Sequence, residues 1–445
     1  MWIRGWLLAG VVGGGLALAP AAAARADRLV LDWWHALSGE LGAALEKVAE
    51  RFNASQDRYE LKPVNKGNYV ATLNAAIAAW RAKEHPLILM NNESGVLTMM
   101  LSGAIVPVHD VLDKYKVEVK LEQYLRPVVQ TYTDRNGRLL AMPFNSSTPI
   151  LFYNKDILDA AGIAAPPKTW QEMEEQIRTI RTKGAADCGY SFAAGPWQEL
   201  ENYSVWHDIP VATKRNGFDG LDAVLVYNKT RFVQHVERLK RWVDEGLATF
   251  GAAAAHTWAS AARSNFIEGR CAFWIDSTAW HSTVEAGAKM KWGASFLPHE
   301  ADLKPNHSMI GGAALYLFKG FSDAHYEGAA AFFRFLTDPE VQLDWHKATG
   351  YVPITVAAWE LAKKQGYYET HPTRGIAVEQ LLMGEERENS RTIRLGNYEN
   401  VRKALTDQLE LVWAGKKGVK EALDQAVEDG NAILRRFEQQ NKGKI

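Results

Sequence analysis

The apolar run from Trp6 to Leu18 sets the first limit on what this chain can become. It carries no charge, follows Arg4, and leads to Ala24-Arg25-Ala26, the small-x-small pattern of a secretory cleavage site. The pattern predicts a signal peptide over residues 1–26, cleavage after Ala26 and a mature chain that begins at Asp27. A retained anchor is the alternative, but a spanning helix needs roughly 20 apolar residues. No later segment is long and apolar enough to span, so we expect a soluble exported protein.

The remainder of the 445-residue chain is too long for one ordinary core and predicts two or more domains. The formal charge is −1, and −3 once Arg4 and Arg25 are removed. That balance gives no electrostatic footprint for nucleic acid or an anionic membrane. Sixteen tryptophans exceed what packing alone asks for and favour a sugar- or polyol-like ligand, on which indoles stack. Cys188 and Cys271 are a disulfide candidate in an oxidising compartment, with two buried free thiols as the alternative.

Along the chain, apolar strands alternate with helical spacings. Leu29–Trp34 reads as a strand, and Leu41, Leu45, Val48 and Phe52 mark a helix over 39–52. Tyr59–Val64 reads as a strand, and Asn68 caps a helix carrying Leu73, Ile77 and Trp80. Leu87–Met90 and Ile150–Tyr153 are further strands, with a helix near 95–101 after the first of them. Thr169-Trp170-Gln171-Glu172 has the form of a capping box, and Gly246–Ala255 reads as a surface connection or helix start. Asp338-Pro339 opens a helix that Gly350 closes, and Val419–Phe437 forms the last one. This alternation indicates an α/β fold with its site at the strand ends.

Catalytic signatures are missing. The chain has no HExxH, GxSxG or Walker A sequence, and its histidines do not pair with cysteines at metal-ligand spacing. No cofactor or metal is expected. A secreted hydrolase is the enzyme alternative, since carboxylate pairs are plentiful but spacing alone identifies no glycosidase couple.

Several segments carry a resemblance: Lys66-Gly67-Asn68-Tyr69, Pro143-Phe144-Asn145-Ser146-Ser147-Thr148-Pro149, Phe152-Tyr153-Asn154-Lys155-Asp156, Asn216-Gly217-Phe218-Asp219-Gly220 and Thr349-Gly350-Tyr351-Val352-Pro353-Ile354-Thr355. Taken in order along the mature chain, they resemble the periplasmic sn-glycerol-3-phosphate-binding proteins of ABC importers, within the maltose-binding-like solute-binding family. The resemblance implies a two-lobed, hinged periplasmic binding protein, monomeric, with inner-membrane permease subunits and a cytoplasmic ATPase as partners. It implies lobes at 27–145 with 292–348, and at 146–291 with 349–445. It also implies capture of glycerol-3-phosphate, with glycerophosphodiesters such as glycerophosphocholine as a related class. A neutral-oligosaccharide binder of the same fold is the runner-up.

Carried over residue by residue, the family's ligand contacts fall on Tyr69, Glu93, Ser147, Ser277, Gly312, Tyr351 and Arg402. The resemblance implies that Tyr69 and Glu93 hold glycerol hydroxyls, that Trp170 stacks on the carbons, and that Arg402 with the two serines holds phosphate. Gly312, lacking a Cβ, brings a backbone N–H close to an oxyanion. The chain departs from the family at three places. Asn92 and Ala194 replace usual aromatics, although Trp197 is retained, and Asp276 stands where a small residue is usual. An ionised Asp276 in the pocket would repel a phosphate dianion or favour a cationic headgroup; pointing away, it would do neither.

Overall fold

The protein was analysed as a computed structural model that describes residues 28–193, 195–251 and 260–444. The expected signal peptide, Ala194 and the stretch 252–255 lie outside these residues. None of the described helices is long and apolar enough to cross a membrane.

Two sheets organise the molecule. The first takes β1 (Leu29–His35), β2 (Tyr59–Asn65), β3 (Ile88–Asn92), β4 (Ile105–Val106) and β5 (Met142–Ser147). The second takes β6 (Pro149–Asn154), β7 (Cys188–Ala193), β8 (Ala248–Gly251), β9 (Cys271–Ser277) and β10 (Trp292–Ser295). The chain then returns to the first sheet as β11 (Gly311–Phe318). The orders are β2-β1-β3-β11-β4, with β5 also on β11, and β10-β6-β9-β7-β8. Helices cover these sheets, giving the α/β architecture expected from the alternation.

Local chemistry sets most element ends. The Asn68 side chain accepts from the Ala71 N–H, and the Asp338 side chain accepts from the Glu340 N–H ahead of a helix with Pro339 at its first position. Gly350 closes that helix with φ +87°, a conformation costly for any residue with a Cβ. Thr169 accepts from the Glu172 N–H at 3.0 Å, but the Glu172 carboxylate closes on the Lys168 N–H at 2.6 Å, one residue before the one a capping box predicts. The Gly246–Ala255 segment differs more. Its residues 248–251 form β8, because Ala248–Gly251 pairs in parallel register with Tyr190–Ala193.

The lobes exchange chain at points displaced from those expected. Ser146 and Ser147 pair with Gly312 and Gly311, so the first sheet extends past 145 and the crossing is the single residue Thr148. Trp292–Ser295 pairs with β6, so the return comes after 295 rather than at 292. Val352 bridges Ser146, and the Leu125 N–H donates to the Ile354 carbonyl at 2.9 Å, so the chain just beyond 349 stays with the first lobe. At the crossing, the buried Thr148 hydroxyl lies 2.6 Å from that of Ser308 and 3.0 Å from the Met309 carbonyl. The two crossings are thereby tied together.

Cys188 and Cys271 are disulfide-bonded. They stand opposite each other on the adjacent parallel strands β7 and β9, with Cα atoms 4.8 Å apart. That separation suits a disulfide.

Candidate functional site

A one-residue crossing fixes where the sheets meet. β5 ends at Ser147 and β6 begins at Pro149, so the edge where β5 ends lies against the edge where β6 starts. On the first sheet that edge holds the C-terminal ends of β3 and β5 and the start of β11. On the second it holds the C-terminal ends of β7, β8 and β9. The topology thus brings the strand ends of both lobes together, where ligands of α/β proteins bind.

One pole of this junction is neutral and rich in donors. The Asn145 side-chain amide donates to the Tyr69 hydroxyl at 2.9 Å, and Tyr351 hydrogen-bonds with both. Burial pushes the Tyr69 phenol well up and the Tyr351 phenol to about 12, so both remain protonated donors at physiological pH. Ser147 stands opposite Gly311, and Gly312 opposite Ser146. Ser277 faces Pro149 across the second sheet, and its hydroxyl accepts from the Ala279 N–H at 3.1 Å.

Gly312 is required by sterics as well as position. Its φ is +101°, and an added Cβ would stand 1.9 Å from the Asn145 carbonyl oxygen. We expect Gly312→Ala to destabilise the protein by about 2 kcal/mol or more and to weaken ligand binding, read by thermal melting and calorimetry. Gly137, at φ +77° with nothing within 4 Å of an added Cβ, should lose only about 1 kcal/mol as alanine.

The other pole is an ion cluster. Arg402, on the helix Tyr398–Trp413, reaches across to Glu93 at 2.7 Å. Its Nε and Nη2 donate to the two oxygens of Glu201 at 2.7 and 2.6 Å, and Nη1 donates to Glu399 at 3.2 Å. Glu399 in turn accepts from the Asn92 amide at 2.8 Å and from the Ser94 hydroxyl. Burial opposes the charge on Arg402, but Glu201, Glu93 and Glu399 hold its pKa well above the usual arginine value. Burial lifts Glu93 to about 7 against the pull of Arg402, with Glu201 and Glu399 adding repulsion. Three carboxylates therefore surround one guanidinium, and the pole carries an excess of negative charge.

Seven of the eight expected residues assemble along this junction: Tyr69, Ser147, Gly312, Tyr351 and Ser277 at the neutral pole, Glu93 and Arg402 at the charged one. Trp170 does not. It begins the helix Trp170–Thr182, whose Trp170, Met173, Ile177 and Ile180 form a buried face, and its ring meets His235 at 4.6 Å and Trp242 at 6.3 Å in the second lobe's core. Its role is packing, not stacking on a ligand. Trp197 holds the aromatic place at the junction instead: a Cβ on Gly311 would lie 2.5 Å from its indole.

Asp276 is buried among donors. Gln198 donates to it at 3.0 Å and the Ser277 N–H at 2.7 Å. Burial raises its pKa to about 6, against the pull of Ser277, Gln198, Arg263 and Trp280. Sequence reasoning missed Glu201, Glu399, Gln198 and Arg263. Only Glu399 had a local signal, three residues before Arg402 on one helix. Trp197, Gln198 and Glu201 share a π-helical turn, Trp197–Asn202, a rare geometry that recurs at functional sites.

The sequence matches the family model for bacterial extracellular solute-binding protein over residues 47–370. It is 41% identical over 418 residues to the sn-glycerol-3-phosphate-binding periplasmic protein UgpB of Yersinia pseudotuberculosis, covering 93% of this chain and 94% of that one. The counterpart from Pectobacterium atrosepticum is 42% identical over 418 residues, covering 93% of each chain. In structure, UgpB from Mycobacterium tuberculosis in complex with glycerophosphocholine superposes with TM-score 0.75 at 22% identity, over 91% of this chain and 98% of that one. The GacH receptor of Streptomyces glaucescens superposes with TM-score 0.76 at 18% identity, over 92% and 99%. The fold is that of the two-lobed binding proteins of the maltose-binding type.

Proposed function

The chain belongs to the bacterial extracellular solute-binding proteins, and on that premise we propose that it captures sn-glycerol-3-phosphate between its lobes for an ABC importer. The observation that carries this reading is the two-pole junction. Tyr69, Tyr351, Ser147, Ser277 and the Gly312 N–H present neutral donors to a phosphate. Glu93 and Arg402 present an acceptor and a donor to adjacent glycerol hydroxyls. The likeness to proteins named for this ligand supports the same assignment.

Two expectations change with this reading. Arg402 is engaged by three carboxylates, so it orders the hydroxyl pole rather than holding phosphate. Trp197 takes the stacking part first assigned to Trp170. The protein works in the periplasm after cleavage behind Ala26, as a monomer that presents its closed lobes to permease subunits driven by a cytoplasmic ATPase. It binds its solute without turning it over.

Titration calorimetry tests the reading. Glycerol-3-phosphate and glycerophosphocholine should bind, while maltose should give no heat of binding. Binding of maltose without glycerol-3-phosphate would instead assign the chain to the oligosaccharide binders of the same fold. Mass spectrometry of the exported protein should find Asp27 at its N-terminus.

A further inference from the structure

We propose that Glu201 makes this site reject ligands that carry a second anionic group, by occupying the fork of Arg402 that a ligand carboxylate would otherwise take. This rests on the glycerol phosphate reading above. A guanidinium left bare at the hydroxyl pole would be a preferred partner for a carboxylate, because two parallel N–H donors match its two oxygens. Here that match is already made inside the protein. Nε and Nη2 of Arg402 donate to the two oxygens of Glu201 at 2.7 and 2.6 Å. With the bonds to Glu93 and Glu399, four bonds engage a group of five N–H donors. At most one donor remains, enough for a hydroxyl oxygen and too few for a two-oxygen grip.

Glu201 and Arg402 stand on the same lobe, so the fork is filled before a ligand arrives. The helix of Arg402 packs Tyr398, Val401, Leu405 and Leu409 into the core that also holds Leu200 and Tyr203, on either side of Glu201. Of the three carboxylates only Glu93 comes from the first lobe, directly after β3. The Glu201 side chain is fully buried, and the Tyr398 hydroxyl bonds to it as well. The turn that carries it is fastened at both neighbours. Glu199 accepts from the Tyr190 hydroxyl at 3.0 Å. The Asn202 amide donates to the Trp197 carbonyl at 3.0 Å, and its oxygen accepts from the Met309 N–H at 2.8 Å. Charge acts in the same direction as the filled fork. A ligand carboxylate entering this pole meets three carboxylates and one guanidinium, and like charges oppose it strongly where water is excluded. Without Glu201, Arg402 still has Glu93 and Glu399 as counter-charges.

The test compares wild type with Glu201→Ala by titration calorimetry at pH 8. The ligands are glycerol-3-phosphate and racemic 3-phosphoglycerate, in which a carboxylate replaces the terminal hydroxymethyl group. We expect wild type to prefer glycerol-3-phosphate by about 100-fold or more, since juxtaposed like charges are strongly unfavourable. The variant should narrow that ratio by about tenfold or more, because it frees a charge-assisted fork for the carboxylate. A merely structural role for Glu201 would weaken both ligands together and leave the ratio as it is, which overturns the inference. A wild-type protein that binds the two ligands equally overturns it too. Glu201→Gln keeps the volume without the charge and supplies the same comparison if the alanine variant melts early; there the ratio should narrow by about threefold. Failure of the wild-type protein to bind glycerol-3-phosphate would strike the glycerol phosphate reading itself, whatever the variants do.

Discussion

Arg402→Ala should lower the stability of the ligand-free protein by about 3–5 kcal/mol at pH 8, because it leaves Glu93, Glu201 and Glu399 without their buried counter-charge. The loss should be smaller at pH 5.5. Glu93 already has a pKa of about 7 when folded, against 4.5 as the ordinary value. Between those values the folded state holds a proton that the unfolded state has released, so this group's contribution to stability falls as pH rises. Removing Arg402 takes away the attraction that lowers the Glu93 pKa, which deepens the alkaline penalty. Acid protonates the cluster and relieves it. Thermal melting of the two proteins across pH 5.5–8 reads the effect. A variant that melts like wild type without ligand but no longer binds it would return Arg402 to the role of a phosphate anchor.

Replacing Cys188 and Cys271 together with alanine should lower stability by about 2–4 kcal/mol while leaving ligand affinity within about twofold. The bond closes a separation of 83 residues, so it removes much freedom from the unfolded chain. Yet both cysteines start their strands, and Ser277 ends β9. Seven residues of strand put the bond roughly 20 Å from the ligand edge. Urea titration measures the first effect and calorimetry the second. An unshifted midpoint would remove the stabilising role, and a large affinity loss would mean the bond sets the site's geometry.

Much of this molecule was legible where local chemistry decides structure. Asn68, Thr169, Asp338 and Gly350 act where their side chains or their missing Cβ predict. β8 was not legible, since the four residues Ala248–Gly251 are too short a run to show a period and become a strand through the partner β7. The placement of Trp170 was open to periodicity: Trp170, Met173, Ile177 and Ile180 mark the buried face of a helix. The resemblance implied a ligand contact at Trp170, whereas its ring packs against His235 and Trp242. The ion cluster was beyond reach for another reason. Glu201 and Arg402 lie 201 residues apart, and Glu93 and Arg402 lie 309 apart, distances over which spacing says nothing. The likeness named Glu93 and Arg402 but could not show the other carboxylates gathered on the arginine.

The return of β11 to the first sheet governs how the chain folds as it emerges. β11 is the strand that joins β3 to both β4 and β5, so the first sheet stays incomplete until residues 311–318 arrive. Until then β3 has an open edge, a template for wrong pairing. The first lobe therefore completes only after all five strands of the second sheet have been delivered, through contacts of long sequence separation, which are slow to form. A chain expected to cross a membrane before it folds gains from that delay, and needs protection from aggregation while it lasts.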